Sequence, residues 1–255
     1  MEIPHTNQII HVYSPWTYVI AFGSCLLYLL AITLIFPLFT SKLTPNFVRS
    51  FAKLHHVLLF IYSLFASLAV LTHLIQSQET TNGYNFLCVP IPSWLRIVTL
   101  TFTLSKIWEW LDTAILIWKG HSLKKIGFLH IYHHATTVLL FLVCMNFPGG
   151  EKGSVFFNGL VHTLMYYHFA FRLPKFFRPV LTAIQIVQLI TATYVWYIVP
   201  NVCPKYRDFP AKHPLEFIIP FALVPVYCLF FFKFFIQHYL LPWFRKSKPS
   251  INKTE

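Results

Sequence analysis

Charge is what this sequence has least of. Asp, Glu, Lys and Arg together make up 11% of its 255 residues, and only eight residues are acidic. A soluble domain carries roughly 25%, so the deficit excludes an ordinary water-facing surface over most of the molecule. Low-complexity segments, internal repeats and a separate polar domain are lacking too. Residues 1–15 contain no Lys or Arg, and the first apolar run, about Trp16–Pro37, has no small-x-small site, which argues against a cleaved secretory signal. The net charge of +12 does not point to nucleic acid, because the basic residues lie in short loops and not in a stripe.

What the chain has instead is apolar length: 56% of it is hydrophobic, with a mean hydropathy of +0.59. Lipid is the expected solvent. The pattern predicts an all-α, polytopic membrane protein forming a single domain over 1–255. About seven spans are expected, at 16–37, 54–74, 94–118, 126–147, 154–171, 179–200 and 215–241. Each is near the roughly 20 residues that a ~30 Å hydrocarbon core requires. With the N-terminus in the lumen, thirteen basic residues fall on the cytosolic side and four on the other, as the positive-inside rule demands. Of the five cysteines, Cys25, Cys144 and Cys228 lie in spans. Cys88 and Cys203 fall in two lumenal loops, where an oxidising compartment would permit a disulfide.

Ionisable residues within a span cost at least ~2.5–3.5 kcal/mol each at mid-helix, so they need a partner or a purpose. The third span places Lys106, Glu109, Asp112 and Thr113 within an arc of about 120° at 100° per residue. The fourth holds His130, His133 and His134 on one side, related by i,i+3 and i,i+4 steps. Asn158, His162 and Tyr166 make successive i,i+4 steps in the fifth, beside Met165, while Thr182, Gln185 and Gln188 follow i,i+3 spacing in the sixth. Counting ~1.5 Å per residue from the cytosolic ends, all four sets fall roughly 5–18 Å deep. Packing residues acting independently would have no reason to share a depth, so one site is expected.

In this order the four segments resemble the motifs of the ELO family of very-long-chain fatty-acid elongases. Its K-x-x-E-x-x-D-T is matched by Lys106, Glu109, Asp112 and Thr113, and its H-x-x-H-H by His130, His133 and His134. His162, Met165 and Tyr166 match H-x-x-M-Y, and Thr182, Gln185 and Gln188 match T-x-x-Q-x-x-Q. One departure follows Tyr166, where the family commonly has x-Tyr-Tyr and this chain has Tyr167, His168 and Phe169.

The resemblance implies an acyltransferase of the endoplasmic reticulum membrane. It would condense a long-chain acyl-CoA with malonyl-CoA to a 3-ketoacyl-CoA, releasing CO2 and CoA. No cofactor or metal is expected. The expected partners are membrane lipid and the ketoreductase, dehydratase and enoyl reductase of the cycle; a homodimer is left open. Condensation needs a nucleophile at the thioester, stabilisation of an enolate and a dry tunnel. Cys144 is ten residues beyond His134, ~15 Å along the axis, too far to share its site, so the histidines carry the chemistry. His133 first and His134 second are the expected nucleophiles, and His130 or His162 would move protons. Lys106 would hold a malonyl carboxylate or a phosphate, with Glu109 and Asp112 balancing charge and orienting the histidines. Thr113, Asn158, Met165, Tyr166, Gln185 and Gln188 are expected to line the substrate. Lys124, Lys125 and Arg172, with Lys119, Lys175 and Arg178, surround the mouth where CoA phosphates would sit.

Two other readings use the same residues. A di-iron desaturase needs several histidine boxes, and only one is present. A retinal protein would use Lys233 for a Schiff base with Asp112 or Glu109 as counter-ion, and leaves the histidine trio unexplained. Near the C-terminus, Lys253 suggests a weak retrieval signal and Asn252-Lys253-Thr254 forms a sequon.

Overall fold

The computed structural model describes residues 15–145 and 148–246. Lys248, Lys253 and the sequon at Asn252 lie outside the described residues. Within them the chain is helical, with no strand. The helices longer than two turns are α1 (Pro15–Leu30), α2 (Pro45–Gln76), α3 (Ser93–Trp108), α4 (Trp110–Trp118), α5 (Phe128–Cys144), α6 (Pro148–Phe171), α7 (Phe177–Val202) and α8 (Pro214–Phe235), with short turns of helix between some of them. Four helical stretches are long and apolar enough to cross a membrane: Tyr18–Phe39, Pro45–Gln76, Phe177–Val202 and Pro214–Trp243. Helix α5 is apolar but shorter, at 17 residues.

Local sequence sets the boundaries. Thr44 caps α2, its hydroxyl accepting from Phe47 N, with Pro45 at the first helical position where its missing N–H costs nothing. Glu109 interrupts the third stretch, separating α3 from α4 at the middle of the charged motif. Gly127 leads into α5 with φ +91, a conformation that favours glycine.

Helix contacts running α2–α6–α7–α8–α5–α3 and back to α2 close a ring, with α1 outside against α5. Helices α2 and α6 pack tightly at Gly159, where an added Cβ would stand 2.3 Å from Ser67 Oγ and 3.2 Å from Ser63 O. The outer surface is apolar, with Leu34, Ile61, Val187 and Leu229 all more than half exposed. Such a continuous apolar belt is what lipid contact requires.

The end of the bundle away from the histidines is locked by polar groups and a disulfide. Cys88 and Cys203 are joined, with Cα atoms 5.5 Å apart. The fully buried Lys152 Nζ donates to Glu79 Oε2 at 2.5 Å and to the carbonyls of Asn85 and Val89. Beside it, Arg96 pairs with Glu151 at 3.2 Å, and the Thr99 hydroxyl donates to the same carboxylate.

Candidate active site

The ring of helices gathers the four polar motifs from α3/α4, α5, α6 and α7. Lys106 is 1% exposed, and its Nζ donates to Glu109 Oε1 at 2.7 Å and Asn158 Oδ1 at 2.8 Å. The ammonium also lies over the rings of Phe102 and Phe141, 4.4 and 4.7 Å from their centroids. So engaged, Lys106 faces Glu109 and not the mouth of the bundle. His162 Nδ1 comes within 3.3 Å of Glu109 Oε1, ion-pair range without hydrogen-bond alignment.

Asp112 and Thr113 open a second branch. Asp112 Oδ2 accepts from the Tyr166 hydroxyl at 2.7 Å, and Oδ1 accepts from His55 Nε2 at 2.9 Å. Thr113 Oγ1 lies 2.9 Å from both His130 Nε2 and the Tyr28 hydroxyl. The rings of His130 and His134 lie 4.4 Å apart, tilted by 41°, and Trp110 Nε1 donates to the His134 backbone carbonyl. The His130 imidazole is therefore held by Thr113, whereas His134 is tied only through its backbone carbonyl and its buried Nδ1 has no hydrogen-bond partner among the described residues.

His133 differs. Its ring packs on Tyr227 of α8 at 5.2 Å and on His134 at 5.3 Å, and neither nitrogen forms a hydrogen bond among the described residues. It opens into a cavity of about 80 Å³ between α5, α6, α7 and α8, shared with Asn158, Gln188, Tyr227, Cys144 and Trp196. Along α5 the cavity runs from His133 to Cys144, roughly 16 Å of helix axis. Cys144 thus stands at the far end of the space that His133 enters. That end is closed by Trp196 against Gly150, where an added Cβ would meet the indole at 3.2 Å.

Not every residue singled out in the sequence reaches this cavity. Gln188 lines it. Gln185 instead turns its amide to Met165 Sδ at 4.0 Å, and Thr182 donates to the Arg178 carbonyl. Tyr166 is completely buried and acts on Asp112. Lys124, Lys125 and Arg172 are exposed around the end of the bundle nearest His130, Arg172 with φ +58 just past α6. Of the residues after the H-x-x-M-Y motif of α6, Phe169 packs on His56 and Tyr166, while Tyr167 faces outward against Phe60.

Three contributors come from helices without a motif and so carry no motif signal in the sequence. Tyr28 reaches from α1, Tyr227 from α8 and His55 from α2. The adjacent pair His55-His56 on a spanning helix was the one available signal.

Among the described residues, the groups close enough to hold a metal ion are His55, His56 and Asp112. Each oxygen of that carboxylate also accepts a hydrogen bond, Oδ1 from His55 and Oδ2 from Tyr166. The four motif histidines form no such set among the described residues, and two iron atoms would need one. Lys233 is exposed on the outer face, away from Asp112 and Glu109, which removes the geometry a buried Schiff base would require.

Known proteins point the same way. The chain is similar to a fatty acid elongase A of Dictyostelium discoideum, 30% identical over 56% of this chain and 54% of that protein. It is also similar to fatty acid elongase sre1 of the same organism, 26% identical over 94% and 90% of the two chains. Fatty acid elongase 2 of Trypanosoma brucei brucei is 33% identical over 62% and 60%. The match spans about half the length of the first of these and nearly all of the second. The model of the ELO family, GNS1/SUR4, matches residues 14–248, all four motifs included, and the chain belongs to that family.

Proposed function

We propose that this protein is a fatty-acid elongase that condenses a long-chain acyl-CoA with malonyl-CoA in the endoplasmic reticulum membrane. The observation that carries the reading is the position of His133, whose unbound imidazole opens into an apolar, closed-ended cavity. In the first step a His133 nitrogen attacks the acyl thioester carbon. The C–S bond breaks and CoA thiolate leaves with the imidazole proton, giving an acyl-imidazole. Malonyl-CoA then loses CO2, and the resulting enolate carbon attacks the acyl-imidazole carbonyl. The C–N bond breaks, His133 regains a proton from solvent, and 3-ketoacyl-CoA departs. The net reaction takes up one proton and needs no redox partner.

The neighbouring residues have matching parts. His162, whose Nδ1 lies 3.3 Å from Glu109 Oε1, would polarise the malonyl thioester carbonyl. His130 and His134, anchored through Thr113 and Trp110, hold the helix that presents His133. Lys124, Lys125 and Arg172 would bind CoA phosphates at the cytosolic mouth. The disulfide at the opposite end supports an oxidising lumen on that side. Completing the cycle requires a ketoreductase, a dehydratase and an enoyl reductase.

Rapid quench of purified protein with acyl-CoA alone tests the covalent step. About one CoA per chain should be released before malonyl-CoA is added, with the acyl group on the peptide containing His133. Absence of both would overturn the step. In steady state, incorporation of labelled malonyl-CoA should disappear in His133→Ala; unchanged incorporation would remove His133 from the chemistry.

A further inference from the structure

Helix α2 carries none of the four motifs, yet it places two adjacent imidazoles against the motif aspartate. His55 Nε2 lies 2.9 Å from Asp112 Oδ1, and His56 Nε2 lies 3.6 Å from the same oxygen. A carboxylate can only accept, so His55 Nε2 carries the proton and donates it. The imidazole is packed between aromatic rings, with its Nδ1 buried and without a hydrogen-bond partner among the described residues. It is 2% exposed, stacks on Phe51 at 6.3 Å and meets the edge of Trp108 at 6.1 Å.

The formal charges explain why Asp112 needs such a partner. Lys106 and Glu109 neutralise each other in one ion pair. Asp112 forms no ion pair with a lysine or arginine among the described residues, and its oxygens are met by His55 and by the Tyr166 hydroxyl. A desolvated carboxylate keeps one orientation only when hydrogen bonds hold it there. The consequence travels further. Tyr166, fixed by Asp112 Oδ2, packs its ring on His162 at 5.6 Å, and Thr113 next to Asp112 holds His130.

We propose that His55 is a positioning residue of the condensing site. By fixing Asp112 Oδ1 it leaves Oδ2 aimed at Tyr166, and so sets the ring against which His162 rests. This role rests on the condensation reading above, but the contact that carries it is independent of the substrate. It also explains why a helix with no motif closes the ring beside α6: α2 supplies the donor that completes the aspartate.

The test uses full-length purified protein and labelled malonyl-CoA. His55→Ala should lower kcat about ten-fold or more, as displaced supporting groups do, with KM for malonyl-CoA unchanged within about two-fold. His55→Gln, whose amide nitrogen reaches the Nε2 position, should recover to within about three-fold of wild type. His55→Asn has the same polarity but falls short of Asp112, so it should be as slow as His55→Ala. The double variant His55→Ala/Asp112→Asn should be no slower than Asp112→Asn alone, because the first residue acts through the second. Equal rates for the Gln and Asn variants, wild-type kcat in His55→Ala, or multiplying losses in the double variant would each overturn the proposal. If the wild type itself condenses no acyl-CoA, the condensation reading falls separately. The positioning role is then read from melting temperatures of the same variants. A double shift equal to the Asp112→Asn shift supports it, and additive shifts overturn it.

Discussion

At the scale of single residues, the buried ion pair Lys106–Glu109 separates stability from activity. Both side chains are about 1% exposed and 2.7 Å apart. Removing one partner leaves an uncompensated charge in a low-dielectric interior, a loss of about 3–5 kcal/mol. Glu109→Leu alone is therefore expected to accumulate poorly and melt early. Replacing both partners, Lys106→Met with Glu109→Leu, removes the charges together and should restore most of the melting temperature. Condensation should stay lost in the double variant, because His162 then has no carboxylate beside it. A double variant as unstable as the single would show that the pair holds the bundle together by more than mutual neutralisation. The existence of this group was legible in the sequence, since four polar residues on one face of an apolar helix are a local pattern. That the lysine would point at its own neighbour and Asn158 was not, because the direction of a long side chain depends on what faces it.

At the scale of elements, two close approaches give contrasting expectations. Gly159 lets α2 and α6 touch, and a methyl there would press on Ser67 Oγ. Gly159→Ala should cost about 1–3 kcal/mol through overpacking, read as a lower melting temperature, and Ser67→Ala should recover part of it by removing the obstructing oxygen. Trp196 acts on the cavity instead. Its indole, held by a bond from Nε1 to the Phe217 carbonyl, closes the end beyond Cys144. Trp196→Ala is expected to move the longest product made from a panel of acyl-CoAs toward greater length, while Gly150→Ala, which crowds the indole and the Cys144 carbonyl, should shorten it. Products of unchanged length in both would place the end of the acyl chain elsewhere. The helices themselves were readable from runs of apolar residues. The break at Glu109 was not, since the helical pattern of the motif continues smoothly through it.

At the scale of the whole molecule, the disulfide closes a loop with a sequence separation of 115 residues. In the chain-entropy limit such a crosslink contributes roughly 4–5 kcal/mol. Reduction, or Cys88→Ala with Cys203→Ala, should lower the melting temperature by several degrees and increase proteolysis of the segment around Cys88. Equal melting with and without reductant would mean that Lys152, Glu79 and their neighbours hold that end alone. The two cysteines could be assigned by sequence to loops on the same side, which permits a bond without choosing it.

The sequence by itself determined that the chain is helical, apolar over most of its surface and equipped with four polar motifs on helix faces. These properties depend on neighbours within one or two helical turns, so residue spacing is enough to reveal them. Only the tertiary structure decided which histidine opens into the cavity, what closes that cavity, and which residues outside the motifs support them. His55 meets Asp112 across a separation of 57 residues, and Tyr28 meets Thr113 across 85. Those pairings follow from how six helices close a ring, and ring closure is set by shape complementarity summed over many distant contacts, which no single stretch of sequence contains.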